Sequence, residues 1–137
     1  GFMLEFMARA FPGTDVYGIE RVHALVHFAD ENLSTSPDTL SNIKANVFGD
    51  GFEGLPDHAP FDAIHVGAAA PTFPPALIDQ LKDGGVLVIP VERGTFMGQA
   101  FYEVTKRDGK VSKKMITGVR YVPLVPGGYT CLTYCYY

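Results

Sequence analysis

Residues 61–71 have the sequence FDAIHVGAAAP, and this stretch indicates how the chain is organised. The apolar residues from Phe61 to Val66 predict a strand that stops at Gly67, and the run from about Pro74 to Leu81 predicts the helix that follows it. A surface turn at this point would normally use Asn, Asp or Ser. Small residues instead indicate either that a ligand lies against the main chain or that the helix packs tightly on the sheet.

Outward from this stretch, the chain alternates helices and strands. Helices are predicted over 1–11 and Val22–Leu33, and strands over Asp15–Glu20, Ile43–Val47, Val86–Val91, Gln99–Lys106 and Val111–Tyr121. The glycines of the DGG at 83–85 are expected to end the helix that precedes them. Asp108 and Gly109 predict a hairpin between the last two strands. The pattern predicts an α/β fold whose sheet is mostly parallel and ends in an antiparallel hairpin, in one domain over 1–137.

Composition limits the partners that this chain can have. Its formal net charge of -4 disfavours nucleic acid. No apolar run approaches the roughly 18 residues of a membrane span, and no leader sequence opens the chain, so we expect a cytoplasmic protein. Cys131 and Cys135 lack the paired spacing of a zinc site, and no metal is predicted.

Glu20 directly follows the first predicted strand. In nucleotide-binding sheets, a carboxylate at a strand end accepts both hydroxyls of a ribose. The alternative is that this acid only favours the positive end of the following helix.

The sequence Gly49-Asp50-Gly51 follows the second predicted strand. Glycines let the main chain approach a flat ring, and the Asp50 carboxylate can accept from an exocyclic amine. The alternative is a plain turn. Ligands bind at the carboxyl ends of parallel strands, so we expect Glu20, Asp50 and the small residues Gly67 and Ala68 at the same edge. His65 either points to that site or is hydrogen-bonded in the core.

Several segments together resemble the protein-L-isoaspartate O-methyltransferases. They are VYGIERV, GDGFEGLPDHAPFDAIHVGAAAP, PALIDQLKDGGVLVIPV and VRYVPL, in this order along the chain. The resemblance runs from Gly1 to about Val125. It implies a Rossmann-like class I methyltransferase fold, S-adenosyl-L-methionine as the cofactor, and methyl transfer to the free carboxylate of L-isoaspartyl residues in damaged proteins.

The resemblance also implies roles for individual residues. Glu20 matches the acid that binds the cofactor ribose, and Asp50 with Gly51 matches the pair beside the adenine. Gln99 matches a position close to the bound ligand. Residues 119–122, which are Val119, Arg120, Tyr121 and Val122, match the strand along which the isoaspartyl peptide lies.

The chain departs from the family pattern at both ends. The family's glycine-rich cofactor loop should stand immediately before it, with Gly1 as its last glycine. We therefore expect a fragment truncated at the N-terminus, inactive alone, whose catalytic residues belong to the preceding segment. Residues 126–137 form an atypical tail. We expect a monomer that acts on isoaspartyl-containing proteins and peptides.

Three other functions compete with this interpretation. Glu20 and Asp50 would also suit a class I methyltransferase with a small-molecule acceptor, which VRYVPL disfavours. An acid after a strand also suits a nicotinamide-dependent oxidoreductase, which the terminal hairpin disfavours. The third is a non-catalytic fragment that associates through an exposed sheet edge.

Overall fold

The structure is a computed structural model, and it describes residues 1–35, 41–94 and 96–127. The chain divides into two compact units, one containing Gly1–Asp50 with Gly127 and the other Gly51–Pro126. A single domain over 1–137 stays a prediction. Most of the atypical tail, including Cys131 and Cys135, lies outside the described residues.

The order of the elements follows the predicted alternation. They are α1 (Phe2–Ala10), β1 (Val16–Glu20), α2 (His23–Ser34), β2 (Ile43–Phe48), a 3-10 turn (Pro56–His58), β3 (Phe61–His65), α3 (Pro75–Asp79), β4 (Leu81–Glu92), β5 (Gln99–Arg107) and β6 (Lys110–Val119). No helix among these described residues is long and apolar enough to span a membrane.

The first unit is a small parallel sheet with two helices. β1 pairs with β2 in parallel, from Val16 opposite Ile43 to Glu20 opposite Phe48. Among its described residues, Ala8, Val16 and Ala29 are fully buried. The predicted helix over 1–11 is confirmed as α1, which buries Ala8 and leaves the apolar side chains of Met3 and Phe6 exposed.

The second unit contains a four-stranded sheet in the order β3-β4-β5-β6. β3 pairs with β4 in parallel, whereas β4–β5 and β5–β6 are antiparallel, so the predicted terminal hairpin is confirmed. The core of this unit consists of Val66, Ala70, Leu77, Leu81, Leu87, Ile89, Val91 and Val104. The apolar run over 86–91 supplies three of the eight, Leu87, Ile89 and Val91, whose alternate positions lie on one face of β4, whereas Val86 and Val88 are partly buried.

The predicted helix from about Pro74 to Leu81, ended by the DGG, is wrong in length and in how it ends. The helix covers only Pro75–Asp79, and Leu81 already pairs with Phe61. The DGG lies inside β4, where the register shifts. A Cβ on Gly85 would lie 2.9 Å from the carbonyl oxygen of Lys82, so glycine permits a close backbone approach within an irregular strand.

Lys106 helps to end this short helix. Its ammonium donates to the carbonyl oxygens of Ile78 at 3.4 Å, Asp79 at 3.3 Å and Leu81 at 3.1 Å. A cation at a helix C-terminus satisfies carbonyls that have no partner within the helix. Strand β5 therefore fixes the point at which the helix becomes strand β4.

Gln80 is the buried polar residue at that junction, with 8% of its surface exposed. Its Oε1 accepts the N–H of Leu55 at 2.8 Å, and its Nε2 donates to the carbonyl of Glu53 at 2.7 Å. The side chain thus closes around Gly54, which has a φ of +66°. This contact ties the loop before β3 to the core.

We expect the Gln80→Met variant to lower the free energy of unfolding by about 2 kcal/mol, because it leaves two main-chain groups without partners. The exposed Lys82–Asp62 ion pair, at 2.8 Å, offers a control. Lys82→Ala should cost about 0.5 kcal/mol or less. Urea unfolding of the two variants measures both. Equal losses would contradict the assignment of Gln80 as a clamp.

Candidate functional site

Glu20 and Asp50 follow the carboxyl ends of two strands that are direct neighbours. Glu20 is the partner of Phe48 across the β1–β2 pair. The N–H of Gly49 donates to the main-chain carbonyl of Glu20 at 3.0 Å. The two acids therefore lie at the same edge of the first unit's sheet, and both are partly buried.

One oxygen of the Glu20 carboxylate has a structural role. Oε1 accepts the N–H of Val22 at 2.9 Å, immediately before α2 begins. Among the described residues, Oε2 has no hydrogen-bond partner. Support of the helix start and acceptance of ribose hydroxyls are therefore compatible roles for the Glu20 side chain. One oxygen supports the helix start, and the other remains available as an acceptor.

The turn around Asp50 is closely packed. Asp50 Oδ2 accepts the N–H of Gly127 at 2.8 Å. A Cβ on Gly49 would lie 2.9 Å from Cδ1 of Ile19. Neither Gly49 nor Gly51 has a positive φ, so space rather than backbone conformation explains the lack of a side chain at Gly49.

Gly51 belongs to the second unit. A Cβ there would lie 3.3 Å from Cδ1 of Leu124, so the turn at this position packs against the segment after β6. Gly1 precedes α1, and a Cβ on it would lie 3.2 Å from the carbonyl oxygen of Ala29 in α2. Both glycines therefore have a packing reason of their own.

The small residues after β3 serve two different purposes. Ala69 and Ala70 are buried because main chain lies on both sides of them. Ala69 donates to the carbonyl of Val122 at 2.8 Å, and Ala70 donates to the carbonyl of Pro90 at 2.9 Å. Gly67 is different, because a Cβ there would meet only Cε1 of His65, at 3.7 Å.

Gly67 and the half-buried Ala68 thus lie at the open part of this turn, and the two alanines after them lie at the closed part. Both expectations for the small residues of this turn therefore apply, at different positions. Tight packing accounts for 69–70, and space beside the main chain is found at Gly67.

The residues matched to the peptide-binding strand lie at the end of β6. Val119 is the last residue of the strand, and Arg120 is exposed. Val122 has 70% of its surface exposed, although its carbonyl is bound to Ala69. The predicted strand to Tyr121 is two residues too long, because Gln99, the first residue of β5, is opposite Val119.

Gln99 contacts the main chain of this segment. Its Oε1 accepts the N–H of Tyr121 at 2.6 Å, and its Nε2 donates to the carbonyl of Tyr121 at 3.2 Å and to Oε1 of Glu92 at 2.9 Å. The expected proximity of Gln99 to a ligand stays a prediction. These contacts were not foreseen, because no local sequence signal indicates a side chain that pairs with backbone so far away.

A cavity of about 530 Å³ lies elsewhere in the first unit, lined by residues that include Asp15, Asn42 and Lys44. These residues stand before or at the beginning of β1 and β2, at the opposite sheet edge from Glu20. Lys44 is already paired with Asp15 at 3.4 Å. We therefore place the candidate site at the carboxyl edge.

Comparison with known proteins decides the family. The family model for protein-L-isoaspartate(D-aspartate) O-methyltransferase matches residues 1–128. The chain belongs to this family. The resemblance to this family that the sequence motifs indicated is therefore confirmed.

Individual relatives agree with this assignment. The chain is 51% identical over 109 residues to the protein-L-isoaspartate O-methyltransferase of Pyrobaculum islandicum, covering 80% of this chain and 51% of that protein. It is 46% identical over 114 residues to protein-L-isoaspartate O-methyltransferase 1 of Arabidopsis thaliana, covering 78% of this chain and 47% of that protein. The chain thus spans about half the length of the curated relatives that it matches.

Solved structures confirm the predicted Rossmann-like methyltransferase fold. A Plasmodium falciparum protein-L-isoaspartate O-methyltransferase, in complex with S-adenosyl-L-homocysteine, matches with a TM-score of 0.71 and 33% identity over 81% of this chain and 52% of that one. Another protein-L-isoaspartate O-methyltransferase structure matches with a TM-score of 0.77 and 23% identity. The match covers 90% of this chain and 38% of that one.

Among the described residues of this chain, no site for a metal ion is found. Across 1–35, 41–94 and 96–127, no group of three His, Cys, Asp or Glu side chains could hold one.

His65 lies at the end of β3, next to the open turn. The half-buried imidazole has no hydrogen-bond partner among the described residues, so the alternative of a hydrogen-bonded core histidine is not met and a role towards the site stays a prediction. Burial lowers the pKa of His65 below its ordinary value of 6.5. The side chain is accordingly neutral at neutral pH.

We expect His65 to make the protein less stable in acid. Below pH 6.5 the unfolded chain takes up a proton that folded His65 does not yet bind, so the free energy of unfolding falls until the lower folded-state pKa is passed. The His65→Asn variant should lose part of this dependence. Urea unfolding between neutral and acidic pH measures it, and identical profiles for the two proteins would contradict the shift.

Proposed function

We propose that this chain forms the nucleoside-facing and peptide-facing part of an enzyme that repairs damaged proteins. The reaction is methyl transfer from S-adenosyl-L-methionine to the free carboxylate of L-isoaspartyl residues. The observation that carries this proposal is the placement of Glu20 and Asp50 at the ends of two paired parallel strands, within a chain of this family. The relative from Plasmodium falciparum, which binds S-adenosyl-L-homocysteine, supports the choice of cofactor.

The acceptor atoms at the carboxyl edge suit a nucleoside. Oε2 of Glu20 is an open acceptor suited to ribose hydroxyls, and its position is fixed by the Val22 contact of Oε1. Asp50 would accept from the adenine amine, with Gly51 allowing the ring to approach.

In the second unit, the space beside Gly67 and Ala68 suits a ligand close to the main chain. Gly1 is assigned to the same cofactor from the family pattern. When bound, S-adenosyl-L-methionine supplies an activated methyl group on its sulfonium.

The acceptor needs no protein base. A carboxylic acid with a pKa near 4 is ionised at neutral pH. The protein's contribution is therefore to hold the peptide, for which Val119–Val122 is suited because Arg120 and Val122 are exposed while the main chain of Tyr121 and Val122 is fixed by hydrogen bonds. Alignment of two bound reactants can contribute several kcal/mol to lowering the barrier.

The proposal includes the cellular setting. We propose a cytoplasmic monomer with isoaspartyl proteins and peptides as partners, and neither nucleic acid nor membrane. The net charge of -4 supports the exclusion of nucleic acid.

We expect methyl transfer to isoaspartyl peptide and none to the same peptide with normal aspartate. The test measures labelled methyl incorporation, both with this chain and with this chain joined to the preceding segment of the Pyrobaculum islandicum relative. Small acceptors and NADH are tested in parallel. Transfer to a small acceptor alone, or stabilisation by NADH instead of S-adenosylhomocysteine, would overturn the proposal in favour of the competing functions.

We expect Glu20→Gln and Asp50→Asn each to weaken S-adenosylhomocysteine binding about tenfold, because each removes a charge-assisted acceptor. Glu20→Gln keeps an oxygen for the N–H of Val22, so the start of α2 should remain intact. Asp62→Asn, at an exposed carboxylate, controls for net charge. Calorimetry of the joined protein measures the affinities. Unchanged affinity in both site variants would remove these acids from the cofactor site.

A further inference from the structure

The side chain of Gln99 substitutes for a strand neighbour where the β5–β6 ladder stops. In antiparallel pairs, one residue both accepts an N–H and donates to a carbonyl of the residue opposite. The amide of Gln99 does the same to Tyr121, with Oε1 accepting at 2.6 Å and Nε2 donating at 3.2 Å. Val119–Val122, the peptide-facing segment, is therefore held at Tyr121 after β6 has ended at Val119.

Glu92 fixes which way the amide faces. It is the last residue of β4 and lies opposite Gln99 across the β4–β5 pair. Its carboxylate accepts only, so it requires Nε2 at 2.9 Å and leaves Oε1 for the N–H of Tyr121. A hydrogen bond to a charged acceptor is stronger than a neutral one. The orientation of the clamp is thus set by a neighbouring strand.

The other side of the segment is held by the turn after β3. Ala69 donates to the carbonyl of Val122 at 2.8 Å and accepts from Leu124 at 2.7 Å. The Tyr121 ring stacks on Phe101, with 6.3 Å between centroids and 12° between planes. The backbone is thus fixed from two sides, while the side chain of Val122 points to solvent.

We propose that Gln99 is a positioning residue for the peptide substrate, acting through the main chain of Tyr121, and that Glu92 orients it. This inference rests on the proposed function, and it separates Gln99 from the cofactor. Both N–H groups of its amide already have partners, and one oxygen lone pair is used by Tyr121. A residue so occupied shapes the surface that receives the peptide.

The test compares Gln99→Met, Gln99→Glu and the double variant Glu92→Gln with Gln99→Glu in the joined protein described above. Gln99→Met removes the clamp without removing bulk. Gln99→Glu loses both donors and places two carboxylates together. In the double variant, the amide at 92 can donate to the carboxylate at 99, which can still accept from Tyr121. Gln80→Met is the matched control, because it removes an equivalent amide clamp on a different loop.

We expect Gln99→Met to raise the KM for isoaspartyl peptide about tenfold. The variant loses the hydrogen bonds that hold Tyr121, and a loss of this kind typically weakens binding by about a factor of ten. The Kd of S-adenosylhomocysteine should not change. Gln99→Glu should be at least as impaired, and the double variant should recover part of the loss. Gln80→Met should lower stability without changing this KM.

Amide hydrogen exchange of this chain gives a readout independent of activity. The Tyr121 amide should lose protection in Gln99→Met and keep it in Gln80→Met. If the unaltered joined protein transfers no methyl group, the proposed function fails and the substrate role of Gln99 fails with it, whereas exchange at Tyr121 separately decides whether Gln99 orders this segment. Unchanged Tyr121 protection, weaker cofactor binding with unchanged KM, or an equal KM effect in Gln80→Met would each overturn the inference.

Discussion

Parallel pairing of β1 with β2 is the interaction on which the candidate site depends. It sets Glu20 opposite Phe48, so that the acid and the turn containing Asp50 emerge at one edge. A one-residue slip of either strand would turn all of its side chains to the other face and change the position of one acid relative to the other. In this register Gly18 lies opposite Asn46, and a Cβ on Gly18 would lie 3.1 Å from Oδ1 of Asn46. The placement of the two acids is thus a property of the sheet.

The second unit uses side-chain amides where regular pairing is unavailable. Gln80 holds the main chain on both sides of Gly54, and Gln99 holds Tyr121. In each case one amide satisfies an N–H and a carbonyl together, which a charged or aliphatic side chain of similar size cannot do. Ala69 completes the arrangement by pairing its backbone with the segment after β6. Irregular segments at the sheet's end are thereby given strand-like order.

Element ends and site positions were predicted correctly where a local sequence signal determines them. They were predicted wrongly where contacts between distant segments determine the structure. Apolar alternation followed by an acid placed Glu20 and Asp50 correctly at strand ends. The DGG ending at Gly85 looks locally like a helix C-terminus, and only the pairing of Leu81 with β3 makes it an irregularity in a strand. The contacts of Gln99 depend on three segments meeting, so no pattern within one of them could indicate it.

An ionised nucleophile changes what a protein must supply for methyl transfer. Because the acceptor carboxylate is already charged near neutral pH, alignment rather than proton removal governs the proposed reaction. A misplacement of about 1 Å can cost roughly a hundredfold in rate. A peptide surface made of backbone would lose that precision if it could move, and the segment at Tyr121 lies just beyond its ladder. Holding it through Gln99 on one side and Ala69 on the other removes that freedom. The chemistry at the cofactor and the rigidity of this segment are therefore two parts of one requirement.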